Sequence, residues 1–258
     1  MAKKKTKKGR KILGYIIISI LILIAMGFGA GLGLFLNYVK ETPEFDPTKL
    51  QTSETSMVFD QNGQLVAELH GEQNRIPVPL EKIPQDLINA FIAIEDQHFY
   101  SHKGINIRSI IGSFIINLRH GDIKRGASTI TQQLVKTAFL SPEQTWKRKA
   151  QEAWLAIQLE RYYTKDEILE FYLNRIYFGH SAYGVESGAD TYFGKSVDEL
   201  TLAESAMLAG ITKGPEYYSP YNNFERAKER QEIILNTMAE LGFITEEEAE
   251  RAKQEEIK

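Results

Sequence analysis

Three short stretches hold residue types whose spacing could do chemistry. The first is "EDQHFYSHKG", residues 95–104, which sets two acids, two histidines, two aromatics and a lysine directly after the apolar run "LINAFIAI". On a helix starting near Pro84, Leu87, Phe91 and Glu95 share one stripe, with Ile88 and Ile92 beside them. A carboxylate ending such a face is partly desolvated, which strengthens it as a proton acceptor. A helix-end acid bonded to a nearby turn accounts for Glu95 equally well from this stretch alone.

The second stretch, "RGASTITQQLVK" (residues 125–136), predicts a helix with Thr131, Leu134, Val135, Ala138 and Phe139 on its apolar face. Ser128, Gln132 and Lys136 fall at i, i+4 and i+8 on another stripe. Gly126, just ahead of the helix, would let a ligand approach free N–H groups, a natural anion site. A solvated polar face is the plain alternative. Ser128 does not read as a nucleophile, because neither a histidine nor a Ser-x-x-Lys pair accompanies it. The third stretch is "WKRKAQEAWLAIQLERYY", which opens on Lys147, Arg148 and Lys149 with Glu152 one turn on. An Arg148–Glu152 surface pair has the weaker, base-first orientation. Cations are also poorly placed at a helix N-terminus, whose dipole repels them. An anionic ligand is the simple reason to keep three of them there.

The elements that must position these residues begin with an uncharged run of 28 residues, from Ile12 to Val39. Roughly 20 residues suffice to cross a bilayer core. The run is also longer than the apolar region of a cleaved signal, about 7–15 residues, so it predicts a retained anchor. The basic flank "KKKTKKGRK" should stay in the cytoplasm, placing everything after Val39 outside. Gly27, Gly29, Gly31 and Gly33 give overlapping GxxxG spacings, a weak signal for helix packing and self-association. Polar residues 40–56 read as a connector. "SMVFDQNGQLVAEL" then predicts a β-hairpin turning at Asn62-Gly63. Helical signals dominate from about Ile83 to about Gly242. Thr164/Glu167, Ser196/Glu199, Thr201/Glu204 and Thr245/Glu248 fit capping boxes, and Ser141-Pro142 reads as a helix start. The tail "TEEEAERAKQEEIK" reads as a charged helix leading toward a further domain. "INIRSIIGSFIINL", residues 105–118, aligns Ile107, Ile110, Ile111, Phe114, Ile115 and Leu118 in one apolar stripe, either core or membrane-facing.

Composition sets outer limits. No cysteine occurs among the 258 residues, which excludes disulfides and cysteine-based zinc sites. The net charge of −3 hides an asymmetry: the first eleven residues carry seven Lys/Arg and no acid, so the remainder sums to −10. That balance argues against a nucleic-acid partner. "GADTYFGKS" is a P-loop decoy, since five residues separate Gly188 from Gly194 where the motif needs four, and Ala189 stands where the first glycine should be.

"EDQHFYSHKG", "RGASTITQQLVK", "RKAQE", "KDEILEFYLNRIYFG" and "ESAMLAGITKGP" occur in this order. They resemble the motifs of the bacterial peptidoglycan glycosyltransferases, the transglycosylase modules of class A penicillin-binding proteins and of monofunctional polymerases. The resemblance covers roughly residues 80–225. It implies a mainly α, lysozyme-like catalytic domain that polymerises lipid II, a disaccharide-pentapeptide on a polyprenyl diphosphate. Glu95 matches the family's general base and Glu152 its second carboxylate. Lys136, Arg148 and Lys149 match positions that hold the diphosphate, while Ser128, Gln132 and Gln133 match residues lining the cleft. Thr137 departs from the family's usual Asn, and Gln144 stands where some members carry a basic residue. No obligatory cofactor is implied; a divalent cation is admissible, though no ligand set stands out. Implied partners are lipid II, the growing glycan strand, membrane lipid and other cell-wall synthesis proteins.

The expected organisation is a cytoplasmic basic arm (1–11), a transmembrane helix (12–39), a connector with a β-hairpin (40–80), the glycosyltransferase domain (81–245) and a charged helical tail (246–258). Neither Ser-x-x-Lys, Ser-x-Asn nor Lys-Thr-Gly occurs, so no penicillin-binding transpeptidase is expected in this chain. A lysozyme-like hydrolase using the same carboxylates is the main rival, but it needs neither diphosphate-facing cations nor an anchor. A non-catalytic scaffold would leave the polar stretches unexplained.

Overall fold

The computed structural model describes residues 7–50, 56–59, 65–69, 74–120, 126 and 128–257, with side chains from 13 to 50 and, apart from residues 114 and 117–120, from 75 onward. It is mainly helical. The long apolar run lies in α1 (Lys7–Lys40), of which Leu13–Lys40 is long and apolar enough to cross a membrane. Its side chains are exposed along most of the span and none is buried among the described residues, consistent with a membrane anchor. Strands β1 (Ser56–Phe59) and β2 (Leu65–Leu69) pair antiparallel, as expected of the hairpin. The turn at Asn62-Gly63 lies outside the described residues.

The domain is organised around α8 (Leu202–Ile211), whose residues from Ala203 to Ile211 are all buried. A helix with no solvent-facing side has to sit in the middle, and α2 (Gln85–Glu95) and α10 (Phe224–Glu240) pack against it. Gly210 makes one of these contacts close: a Cβ there would come within 3.0 Å of the Arg230 Cγ. A second layer holds α4 (Ile130–Phe139) against α5 (Trp146–Tyr162) and α6 (Lys165–Leu173). The helix α3 (Ile107–His120) follows the loop that contains His98 and His102. Helices α7 (Val185–Phe193), α9 (Pro215–Tyr218) and α11 (Glu246–Gln254) complete the set.

Several caps match the sequence and two do not. Thr164, Thr201 and Thr245 each form a full capping box with the glutamate three residues on. Ser196 does not, because its hydroxyl bonds the Glu186 carboxylate at 3.0 Å and only a short 3-10 turn follows. Ser141-Pro142 starts no helix either. Thr145 takes the cap of α5, accepting the Arg148 N–H at 3.1 Å. A small sheet went unanticipated: β3 (Asn74–Arg75) pairs parallel with β5 (Ala182–Tyr183), which pairs antiparallel with β4 (Tyr177–Gly179). Its hairpin turns through His180 and Ser181, both left-handed at φ 48° and 59°. In the P-loop decoy, Gly188 lies inside α7 and Gly194 ends it, so no helix N-terminus faces a phosphate.

On α3, Ile107, Ile110, Ile111 and Ile115 are exposed, between 43% and 68%. The stripe is therefore a surface and not a core contact. The side chains of Phe114 and Leu118 lie outside the described residues.

Candidate active site

Glu95 is the last residue of α2 and sits half-buried at the end of the stripe formed by Leu87 and Phe91. It lines a cleft of about 690 Å³ together with Ser128, Gln133, Lys213 and Arg230. The Gln133 side-chain amide donates to the Glu95 carboxylate at 2.6 Å. Its carbonyl in turn accepts the Tyr172 hydroxyl at 3.3 Å. Burial, and then the nearby charges of Glu95 and Asp96, push the Tyr172 phenol well above its ordinary range, so this hydroxyl remains a donor. Gln133 is thereby fixed at both ends and orients the carboxylate.

The neighbouring Asp96 explains much of the first stretch. Its buried carboxylate meets the His102 Nε2 at 2.8 Å and accepts the Ile130 N–H at 3.2 Å. It therefore places a negative group at the N-terminus of α4, where the helix dipole favours one. Thr129 caps the same end and donates to the Gly104 carbonyl at 2.6 Å. Gly104 has φ +83°, and a Cβ there would approach the Ala156 carbonyl oxygen to 2.6 Å, so the loop lies directly on α5.

These contacts revise the sequence reading of the second stretch. Ser128 precedes α4 and is not on its polar stripe. The helix N-terminus is not an open anion site, because Asp96 and Thr129 occupy the Ile130 and Gln132 N–H groups. Gln132 is buried and folds back to accept the Thr129 N–H at 3.1 Å, completing a capping box, so it does not line the cleft. Lys136 lines an adjoining hollow of about 200 Å³ with Gln133, Tyr172 and Arg175. Thr137, at the rim of that hollow, returns its hydroxyl to the Leu134 carbonyl at 3.0 Å.

On α5 the cations converge on one buried acid. Glu152 is 2% exposed; Lys149 Nζ reaches it at 2.6 Å, and Arg148 approaches at 3.3 Å without hydrogen-bond alignment. The same Lys149 ammonium donates to the Ser128 hydroxyl at 2.8 Å. Two cations against one carboxylate leave a local positive excess beside the serine at the cleft wall. Lys147 turns elsewhere and pairs with Glu41. Arg230 and Lys213 were not anticipated from the sequence. Both Glu95 and Arg230 line the cleft; burial lowers the Arg230 guanidinium from its ordinary value while the charge of Glu95 opposes that fall. Among the described residues, no cluster of acids and histidines could hold a metal ion.

The family model "Transglycosylase" matches residues 62–239. Among similar proteins, Penicillin-binding protein 1A of Streptococcus oralis is 41% identical over 245 residues, covering 94% of this chain and 38% of its own length. Penicillin-binding protein 1A/1B of Bacillus subtilis (strain 168) is 42% identical over 256 residues, covering 99% and 28%. Among solved structures, Penicillin-Binding Protein 1A from Haemophilus influenzae aligns with a TM-score of 0.46 at 29% identity, covering 81% of this chain and 21% of that one. The chain thus spans well under half the length of these relatives. With the model matched across most of the folded region, the chain belongs to the Transglycosylase family and comprises its transglycosylase domain.

Proposed function

We propose that this domain polymerises lipid II into β-1,4-linked glycan at the outer face of the cytoplasmic membrane. Glu95 takes the proton from the 4-hydroxyl of an incoming acceptor. That oxygen forms a bond to C1 of the bound donor glycan, and the C1–O bond to diphosphate breaks with its electron pair leaving on the diphosphate. The α-linkage becomes β in one displacement. Arg148 and Lys149, held by Glu152 beside Ser128, stabilise the departing charge. Lys136 in the adjoining hollow supplies a further cation for the donor. Gln133 orients the base.

One observation carries this reading. A half-buried carboxylate and an excess-cation cluster border the same cleft through Glu95 and Ser128. A hydrolase acting on neutral glycan has no anionic leaving group for those cations to meet. Residues 81–245 form the catalytic unit in this account, behind the 12–39 anchor and the 40–80 connector, with 246–258 as a trailing helix. The basic arm 1–11 lies inside the cell, and the apolar stripe of α3 rests on the outer leaflet. Incubating the protein with lipid II separates the alternatives: glycan polymer supports the proposal, cleavage of preformed glycan favours a hydrolase, and no change favours a scaffold.

A further inference from the structure

The stripe of α5 next to its cation cluster grips the end of the membrane helix. Gln151 is 7% exposed, and its amide donates to the Glu41 carbonyl at 3.0 Å and to the Tyr38 carbonyl at 3.5 Å. Carbonyls at a helix C-terminus have no partner within the helix, so Gln151 caps α1 from a different part of the chain. One turn earlier on the same stripe, Lys147 pairs with Glu41. Beyond the helix, the Phe45 ring stacks on Tyr162 at 5.2 Å and meets Phe139 at 5.4 Å, while Leu50 is buried at 1%. A flexible tether would show none of these contacts.

From these contacts we infer that Gln151 is a positioning residue: with Lys147 and Phe45 it locks α5 onto α1 and sets the height of the reaction centre above the bilayer. Large exposed apolar side chains on α1 continue as far as Leu36, so the apolar zone ends within about one turn, roughly 5 Å, of the Tyr38 carbonyl. Arg148 and Glu152 flank Gln151 on α5. The latch therefore holds the cation cluster at the level where a lipid-linked diphosphate emerges from hydrocarbon. This inference rests on the proposed lipid II reaction.

The test uses the full chain in vesicles throughout, once with long-chain lipid II embedded in the bilayer and once with a short-chain, water-soluble analogue supplied from solution. Gln151→Ala should slow polymerisation in vesicles about tenfold or more while leaving the soluble reaction within about twofold, since only the embedded substrate has a fixed height. Lys147→Glu should act in the same direction, and Glu41→Lys added to it should restore the vesicle rate. An equal loss with both substrates would reduce Gln151 to a folding role, and wild-type rates in vesicles would overturn the latch alone. No polymer from the wild type with either substrate would overturn the underlying reaction and the latch with it.

Discussion

Replacing Glu152 by alanine removes the carboxylate that, among the described residues, neutralises both Arg148 and Lys149. Breaking a buried ion pair on one side costs about 3–5 kcal/mol, because the surviving charge is stranded. Here the lower end applies. The Lys149 side chain is 42% exposed and can turn to water, whereas that of Arg148 is only 16% exposed and already has an unpartnered Nε among the described residues. A loss of ~3 kcal/mol should lower the thermal midpoint by roughly 6–12 °C for a domain of this size. Glu152→Gln keeps an acceptor for Lys149 and should cost less, about 1–2 kcal/mol. Differential scanning fluorimetry in detergent, paired with initial rates on lipid II, reads both effects. If Glu152 works by holding the two cations, midpoint and rate fall together, in the order Ala below Gln below wild type. An unchanged midpoint with lost activity would refute that reasoning and give Glu152 a direct chemical role.

Lys149→Ala should weaken binding of the lipid-linked diphosphate donor; normal binding by calorimetry would make the cluster a plain ionic patch. Asp96→Ala strands His102 and the Ile130 N–H and should cost ~3 kcal/mol in chemical unfolding, with Asp96→Asn milder. A form lacking residues 1–39 should still bind vesicles, and Ile111→Ser with Ile115→Ser should release it. The midpoint should hardly move, because both side chains are exposed; a large fall would assign the stripe to packing. The Tyr100 phenol, pushed up to about 12 by partial desolvation and its bond to Asp166, favours the fold fully below about pH 10 and loses that contribution as pH rises through about 12, with a shallow slope because the residue is 56% exposed. Tyr100→Phe should remove that slope from unfolding curves measured between those values.

What the sequence made legible was local. The α2 stripe ending in Glu95, the Thr164, Thr201 and Thr245 boxes and the apolar α1 all follow from spacing within one element. Tertiary partners were not legible. The groups meeting Asp96 lie 6 and 34 residues away, and Arg230 reaches the cleft from a helix packed across α8. Gln132 reads as polar surface until Thr129 is seen to be the cap, at which point its side chain is committed inward. The β4–β5 hairpin hid because His180-Ser181 occupies a turn more often signalled by Asn-Gly. Arg148 and Lys149 stand out in the sequence as cations misplaced on a helix dipole, and in the structure they share Glu152 beside Ser128.

The proposed reaction depends most on the Glu95 carboxylate as the base of the transfer. The direct measurement is single-turnover polymerisation of lipid II by Glu95→Gln, alongside lipid II binding by the same protein. Glutamine keeps the size of the side chain and a carbonyl acceptor for the Gln133 amide but cannot take a proton. Binding should stay close to wild type while the rate falls by about 10²–10⁴-fold. A variant that turns over at more than half the wild-type rate would contradict it.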